Sequence, residues 1–253
     1  MRIVTNVKLV QRNKRITQYL FFFSLAVLML GFVVINAQLL FPDLDPALLG
    51  LTSFVLPLVV LPVAFLATVM SIRMTNLWVR RPRPEEALAD NLKGLGNKAA
   101  LYSYFHFPAR HVLIAPQGVF AIVTRFQDGT YEVEGNEWAT RRSFFGRILS
   151  MFRMDGIGAP IEDAKVAAAH VEKQLADIAP DVKVQPIVLF TDPRAKLTIT
   201  KPEIPVLRAQ SRVPPSMQDY LKGIPKQLRQ PLTEDQIFDF ERKTLPDWLF
   251  KDE

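Results

Sequence analysis

The chain has 253 residues, a net charge of +6 and no cysteine, which excludes disulfide frameworks and thiolate metal sites. Its three histidines, His106, His111 and His170, are too scattered for a zinc site. Residues 73–253 carry 26 basic and 23 acidic residues, a near balance that makes no electrostatic case for nucleic acid.

Residues 1–16 form a basic N-terminus with Arg2, Lys8, Arg12, Lys14 and Arg15 and no acid. Residues 17–41 and 46–72 contain no charge at all. About 20 apolar residues cross the hydrocarbon core as a helix, so 17–72 reads as a transmembrane helical hairpin. Pro57 and Pro62 should kink the second span, and Gly31 and Asn36 mark a candidate helix–helix face on the first. The apolar stretch is too long for a cleaved signal peptide, and a second span follows directly. The connecting loop holds Asp43 and Asp45, whereas Arg73, Arg80, Arg81 and Arg83 follow the second span. Cationic flanks stay on the cytoplasmic side. The expectation is therefore an integral membrane protein with both termini and the main domain cytoplasmic, its flanks attracted to anionic headgroups.

A basic, proline-rich linker (73–84) leads into the soluble part. Glu85-Glu86 then open a helix in which Leu88, Leu92 and Leu95 recur at helical spacing. His111–Ala115 and Val119–Thr124 flank Pro116-Gln117-Gly118 as a β-hairpin. Thr130–Glu134 alternates as a strand, with Trp138 after a second turn. Residues 141–153 interleave Arg141, Arg142, Arg147 and Arg153 with aromatic residues, a pattern of solvated arginines or of phosphate or membrane contact. Pro160 begins a helix reaching Ile178, with Val166, Ala169, His170, Val171, Leu175 and Ile178 as its apolar stripe. Val184–Thr191 is a buried strand, and 196–200 and 204–207 are short ones. Helices near 215–223 and 233–244 follow, the second opening on the capping box Thr233-Glu-Asp-Gln236. The order implies an α/β fold, a mixed β-sheet flanked by helices over 85–225, with 226–253 as a C-terminal helical extension.

The string HVLIAPQGVFAIVTRFQDG, then Trp138, GAPIEDAKVAAAHVEKQL and VQPIVLFT resembles the nuclease-related domain (NERD) family over about 85–220. The resemblance implies a restriction-endonuclease-like fold with metal-dependent nuclease chemistry. There, an Asp and a Glu hold magnesium and a Lys assists water. Carried over position by position, the strand Asp falls at Arg110, the Glu at Val123 and the Lys at Arg125. The helix Asn and Gln fall at Ala159 and Asp163. Only a helix acid, Glu86 or its neighbour Glu85, stands in register.

Arg110 places a cation where a ligand belongs, and Val123 has no ligand atom. Arginine stays protonated and makes a poor base. The motif is degenerate, so no catalytic residue and no cofactor is expected, with Glu86 the one residual candidate ligand. Arg110, Arg125, Arg141 and Arg142 are candidate phosphate or anion contacts, and ion pairs of the first two with Glu86 or Asp163 are the plainer expectation. Three functions follow: a pseudoenzyme acting by binding a protein or nucleic acid at the membrane, a magnesium nuclease with relocated ligands among Asp128, Glu132, Glu134, Glu137 and Asp155, or a structural membrane-assembly component.

Overall fold

The computed structural model describes residues 1–43, 45–141, 156–210 and 213–250. The described residues divide into two units, one holding Lys8–Arg81 and Gly156, the other joining Met1–Val7 to residues 82–141, 157–210 and 213–250.

The first unit is helical. α1 runs Val7–Ile35, α2 Ala37–Leu40 and α3 Pro46–Gly50; a π-turn, Leu51–Val55, then leads into α4, Leu56–Trp78. Asp45 caps α3 by accepting from the Ala47 amide at 2.8 Å. The π-turn ends two residues before Pro57, whose missing donor and bulky ring disfavour a regular α-turn in the residues that precede it. Val7–Ile35 and Leu51–Trp78 are long and apolar enough to cross a membrane, with mean hydropathies of 2.3 and 2.5. Their most apolar windows are only 17% and 28% buried, so most of that apolar surface is exposed. The buried residues on α1 include Thr17, Ser24 and Gly31, seven apart. A Cβ on Gly31 would stand 3.4 Å from Val60 of α4, so that glycine permits close approach. Asn36 satisfies its amide on Phe32 O at 2.8 Å.

The second unit is α/β. Its six strands lie in the order β1 (Arg2–Thr5), β2 (Ala100–His106), β3 (Ala109–Ala115), β4 (Gly118–Arg125), β7 (Val184–Phe190) and β9 (Val206–Arg208). β2, β3 and β4 are antiparallel neighbours, whereas β1–β2, β4–β7 and β7–β9 are parallel. A smaller sheet sets β5 (Thr130–Glu134) between β6 (Glu137–Arg141) and β8 (Lys196–Thr200). α5 (Pro84–Asn91) and α7 (Met217–Gly223) cover one face of the large sheet, packing Leu88, Leu92 and Leu221 on Leu101, Leu113, Phe120 and Ile122. α6 (Pro160–Leu175) and α8 (Glu234–Thr244) cover the other, over Val112, Ile114, Ala121 and Val188.

Four features depart from the sequence expectations. The N-terminal residues are an edge strand, because Arg2-Ile-Val-Thr finds the open side of β2. β2 itself carries no expected counterpart. On α6 the buried stripe is Ile161, Ala164, Ala168, Val171 and Leu175, while Val166 is exposed. α8 also belongs to the domain core, since Phe240 is fully buried and stacks on His106 with ring centroids 4.9 Å apart.

Candidate functional site

Arg110 is the second residue of β3, beside His111, which pairs with Ile122, so it stands next to Val123 of β4. The structure thus brings Arg110, Val123 and Arg125 to one end of the sheet. Val123 is buried in the core beneath α6 and pairs with Val188. Arg125 is fully committed: its Nε donates to Ile157 O at 3.0 Å, its Nη1 to Thr124 O at 3.3 Å, and its Nη2 to Asp163. Two positions aligned through the family resemblance therefore meet as an ion pair. Burial holds the Arg125 pKa below its ordinary value against the pull of Asp163, and the nearby Arg110 charge adds to the depression. Arg110 is exposed and has no ion pair among the described residues.

Glu86 is the N3 residue of α5. Its carboxylate accepts from the Arg83 amide at 3.0 Å and from Arg83 Nη2 at 2.8 Å, which makes it a helix cap with an ion pair. Glu85 is the buried acid of the pair, 5% exposed, and accepts from the Tyr104 hydroxyl at 2.7 Å. Burial first, then Glu85, raises the Tyr104 pKa. α5 lies on the face opposite α6, so Glu85 and Val123 belong to opposite faces of the sheet. Among the described residues no three acidic or histidine side chains gather as a metal site. Asp128 pairs with Arg194 at 3.1 Å, and Glu134 and Glu137 are exposed in the β5–β6 hairpin. The Arg141 side chain, Arg142 and Asp155 lie outside the described residues.

No protein-family model, curated protein or solved structure matches the chain.

Two networks escaped the sequence reading. Arg2 and Tyr102 both donate to the buried Glu241 of α8. Arg83 and Tyr104 likewise converge on Glu85, Tyr104 by a hydrogen bond and Arg83 by an ion pair, with Arg83 Nε 3.1 Å from Glu85 Oε1. Beside each network sits a buried imidazole. His106 packs edge-on to Tyr102, and its Nδ1 lies 3.1 Å from Gln174 Oε1. His111 lies 5.1 Å from the Tyr104 ring, with Nδ1 3.0 Å from Ser103 Oγ. Burial pushes the His106 pKa down to about 4 and that of His111 to about 3. Ser103 and His111 are both wholly buried, so they make a core hydrogen bond and not a nucleophile and base reaching substrate. At the other end of the sheet a cavity of about 790 Å³ opens between the start of β1 and α8, lined by Arg2, Lys98, Ile114, Leu232, Phe238 and Glu241. The Leu101-Tyr-Ser-Tyr-Phe run was the available signal for β2, being rich in strand-forming aromatics.

Proposed function

We propose that the protein is a membrane-anchored binding module: a two-span hairpin carrying a nuclease-related α/β domain without nuclease chemistry at the cytoplasmic membrane face, where it docks a partner. The carrying observation is the β1–β2 pairing. β1 precedes the first apolar helix, β2 follows the second, and Arg2 through Thr5 register with Ala100 through Ser103 in one sheet. A sheet cannot be assembled across a bilayer, so the chain between those strands crosses an even number of times. The basic flanks and the acidic loop at Asp43 and Asp45 favour the cytoplasm for that side.

The order helix, strand, hairpin, helix, parallel strand accommodates the nuclease-related layout. The loss of chemistry is supported by the residues at the corresponding positions. Val123 offers no donor, Arg125 is spent on Asp163 and two carbonyls, and Glu86 caps a helix. Arg110 is left as a cation suited to an anionic group.

The test is a plasmid-nicking assay on the full-length protein in detergent, with magnesium and with manganese. The full chain is needed because β1 is part of the domain. No cleavage above a metal-free control is expected. Metal-dependent cleavage that disappears in Glu86→Ala, with the fold retained, would overturn the reading and make this an enzyme with relocated ligands.

A further inference from the structure

Both legs of the hairpin join the domain at one end of β2. Thr5 pairs with Ser103, Asn6 donates its side-chain amide to Tyr104 O at 3.3 Å, and α1 begins at Val7. On the other leg, the second residue of α5, Glu85, takes the Tyr104 hydroxyl. β1 and β2 are parallel, and β2 continues in the same direction after β1 has left the sheet. It runs to His106, turns at Phe107-Pro108 and returns as β3. At ~3.3 Å per strand residue, less the bulge between Ser103 and His106, the turn projects roughly 10 Å beyond the exit of β1.

That projecting turn has its own chemistry. Phe107 is 45% exposed. Arg110 is exposed, and its electrostatic neighbours include Tyr104, His111 and a second cation, Arg125. A single exposed phenylalanine is ordinary on a protein surface. Here it shares an end of the domain with an arginine unpaired among the described residues and with both tethers.

We propose that the β2–β3 turn is a third membrane contact, with Phe107 entering the interfacial layer and Arg110 holding the phosphate of an anionic phospholipid headgroup. This rests on the membrane-anchored reading above and names the partner of its Arg110 site. Aromatic rings favour the headgroup level, and a guanidinium matches a phosphate in charge and in its paired donors. Lys8, Arg12, Lys14 and Arg15 on one leg and Arg73, Arg80 and Arg81 on the other would enrich anionic lipid around the same end. The tethers supply a high effective concentration, so an individually weak contact is sufficient. Such a contact would fix the orientation of the domain on the bilayer.

The experiment uses the full-length protein in nanodiscs of phosphatidylcholine alone or mixed with phosphatidylglycerol. The chain has no cysteine, so Phe107→Cys carries a single apolar fluorophore in place of the ring, and Leu25→Cys in α1 serves as the reference. Quenching by nitroxide-bearing lipid is read at each position. The expected result is at least twofold stronger quenching at position 107 in anionic than in neutral discs, abolished by Arg110→Glu with the circular dichroism unchanged. Position 107 unquenched in both lipids while position 25 is quenched would overturn this inference alone. Equal quenching in both lipids would overturn the headgroup contact. Release of quenching by a short oligonucleotide would overturn it in favour of a nucleic-acid site. An unquenched position 25 would overturn the membrane-anchored reading and this inference with it.

Discussion

Two Arg–Tyr–Glu triads grip β2 from opposite faces. Arg2, Tyr102 and Glu241 hold the residues before the first apolar helix; Arg83, Tyr104 and Glu85 hold those after the second. They differ in reach. Glu241 lies 239 residues from Arg2, whereas Glu85 is two residues from Arg83, which also binds Glu86. The N-terminal leg thus depends on a long-range contact that forms only when α8 has docked. The C-terminal leg is held locally and with redundancy. Matching chemistry therefore gives one contact that reports on the whole fold and one that reports mainly on the start of α5.

Acid should stress both sides at once, and by the largest amount, because each triad has a buried imidazole for a neighbour. The folded pKa values lie near 4 for His106 and 3 for His111, against 6.5 in the unfolded chain. Above pH 6.5 both states are neutral and nothing is gained or lost. As the pH falls further the unfolded chain binds protons that the folded one refuses, so stability drops. The slope is about 1.4 kcal/mol per pH unit for each histidine, and it ends at about pH 4 for His106 and about pH 3 for His111. Thermal melts across this window should show the loss, and His106→Gln should flatten about half of it.

Glu241→Ala is the sharpest break between the triads. It strands a buried phenol and a half-exposed guanidinium, at a cost of about 2–3 kcal/mol. Denaturant melts should register that, and limited proteolysis should show the first residues released. Glu85→Ala should cost less, about 1–2 kcal/mol, because Arg83 keeps Glu86 and only the Tyr104 hydroxyl loses its partner. Equal losses in the two variants would erase the distinction between a long-range and a local clamp. Tyr102→Phe and Tyr104→Phe should be the mildest, about 1 kcal/mol each by the same melts.

Much of this architecture was legible in the sequence. The two charge-free stretches, the Pro116-Gln117-Gly118 hairpin, the Pro160 helix start and the Thr233–Gln236 capping box all came from local chemistry, and the structure places each one. What escaped was non-local. Arg2–Thr5 becomes a strand only because β2 offers an open edge, and no periodicity within so short a segment announces it. The phase of α6 was misjudged because the Val-Ala-Ala-Ala run at 166–169 is apolar at successive positions. The sheet then selects the alanines at 164, 167 and 168 and leaves Val166 outside. At the candidate site, the sequence named Arg110, Val123, Arg125 and Glu86 individually and anticipated ion pairing with Asp163. It could not show that α5 and α6 lie on opposite faces of the sheet, or that the buried acid beside Glu86 is Glu85.

The residues before the first apolar helix and the domain after the second share one sheet, which requires one side of any membrane that the two helices cross. With no cysteine in the chain, single cysteines at Val7, Asp43 and Lys98 can be probed in intact cells with a membrane-impermeant maleimide. Asp43→Cys should be labelled from outside, and Val7→Cys and Lys98→Cys only after permeabilisation. Opposite accessibility at positions 7 and 98 would contradict that arrangement.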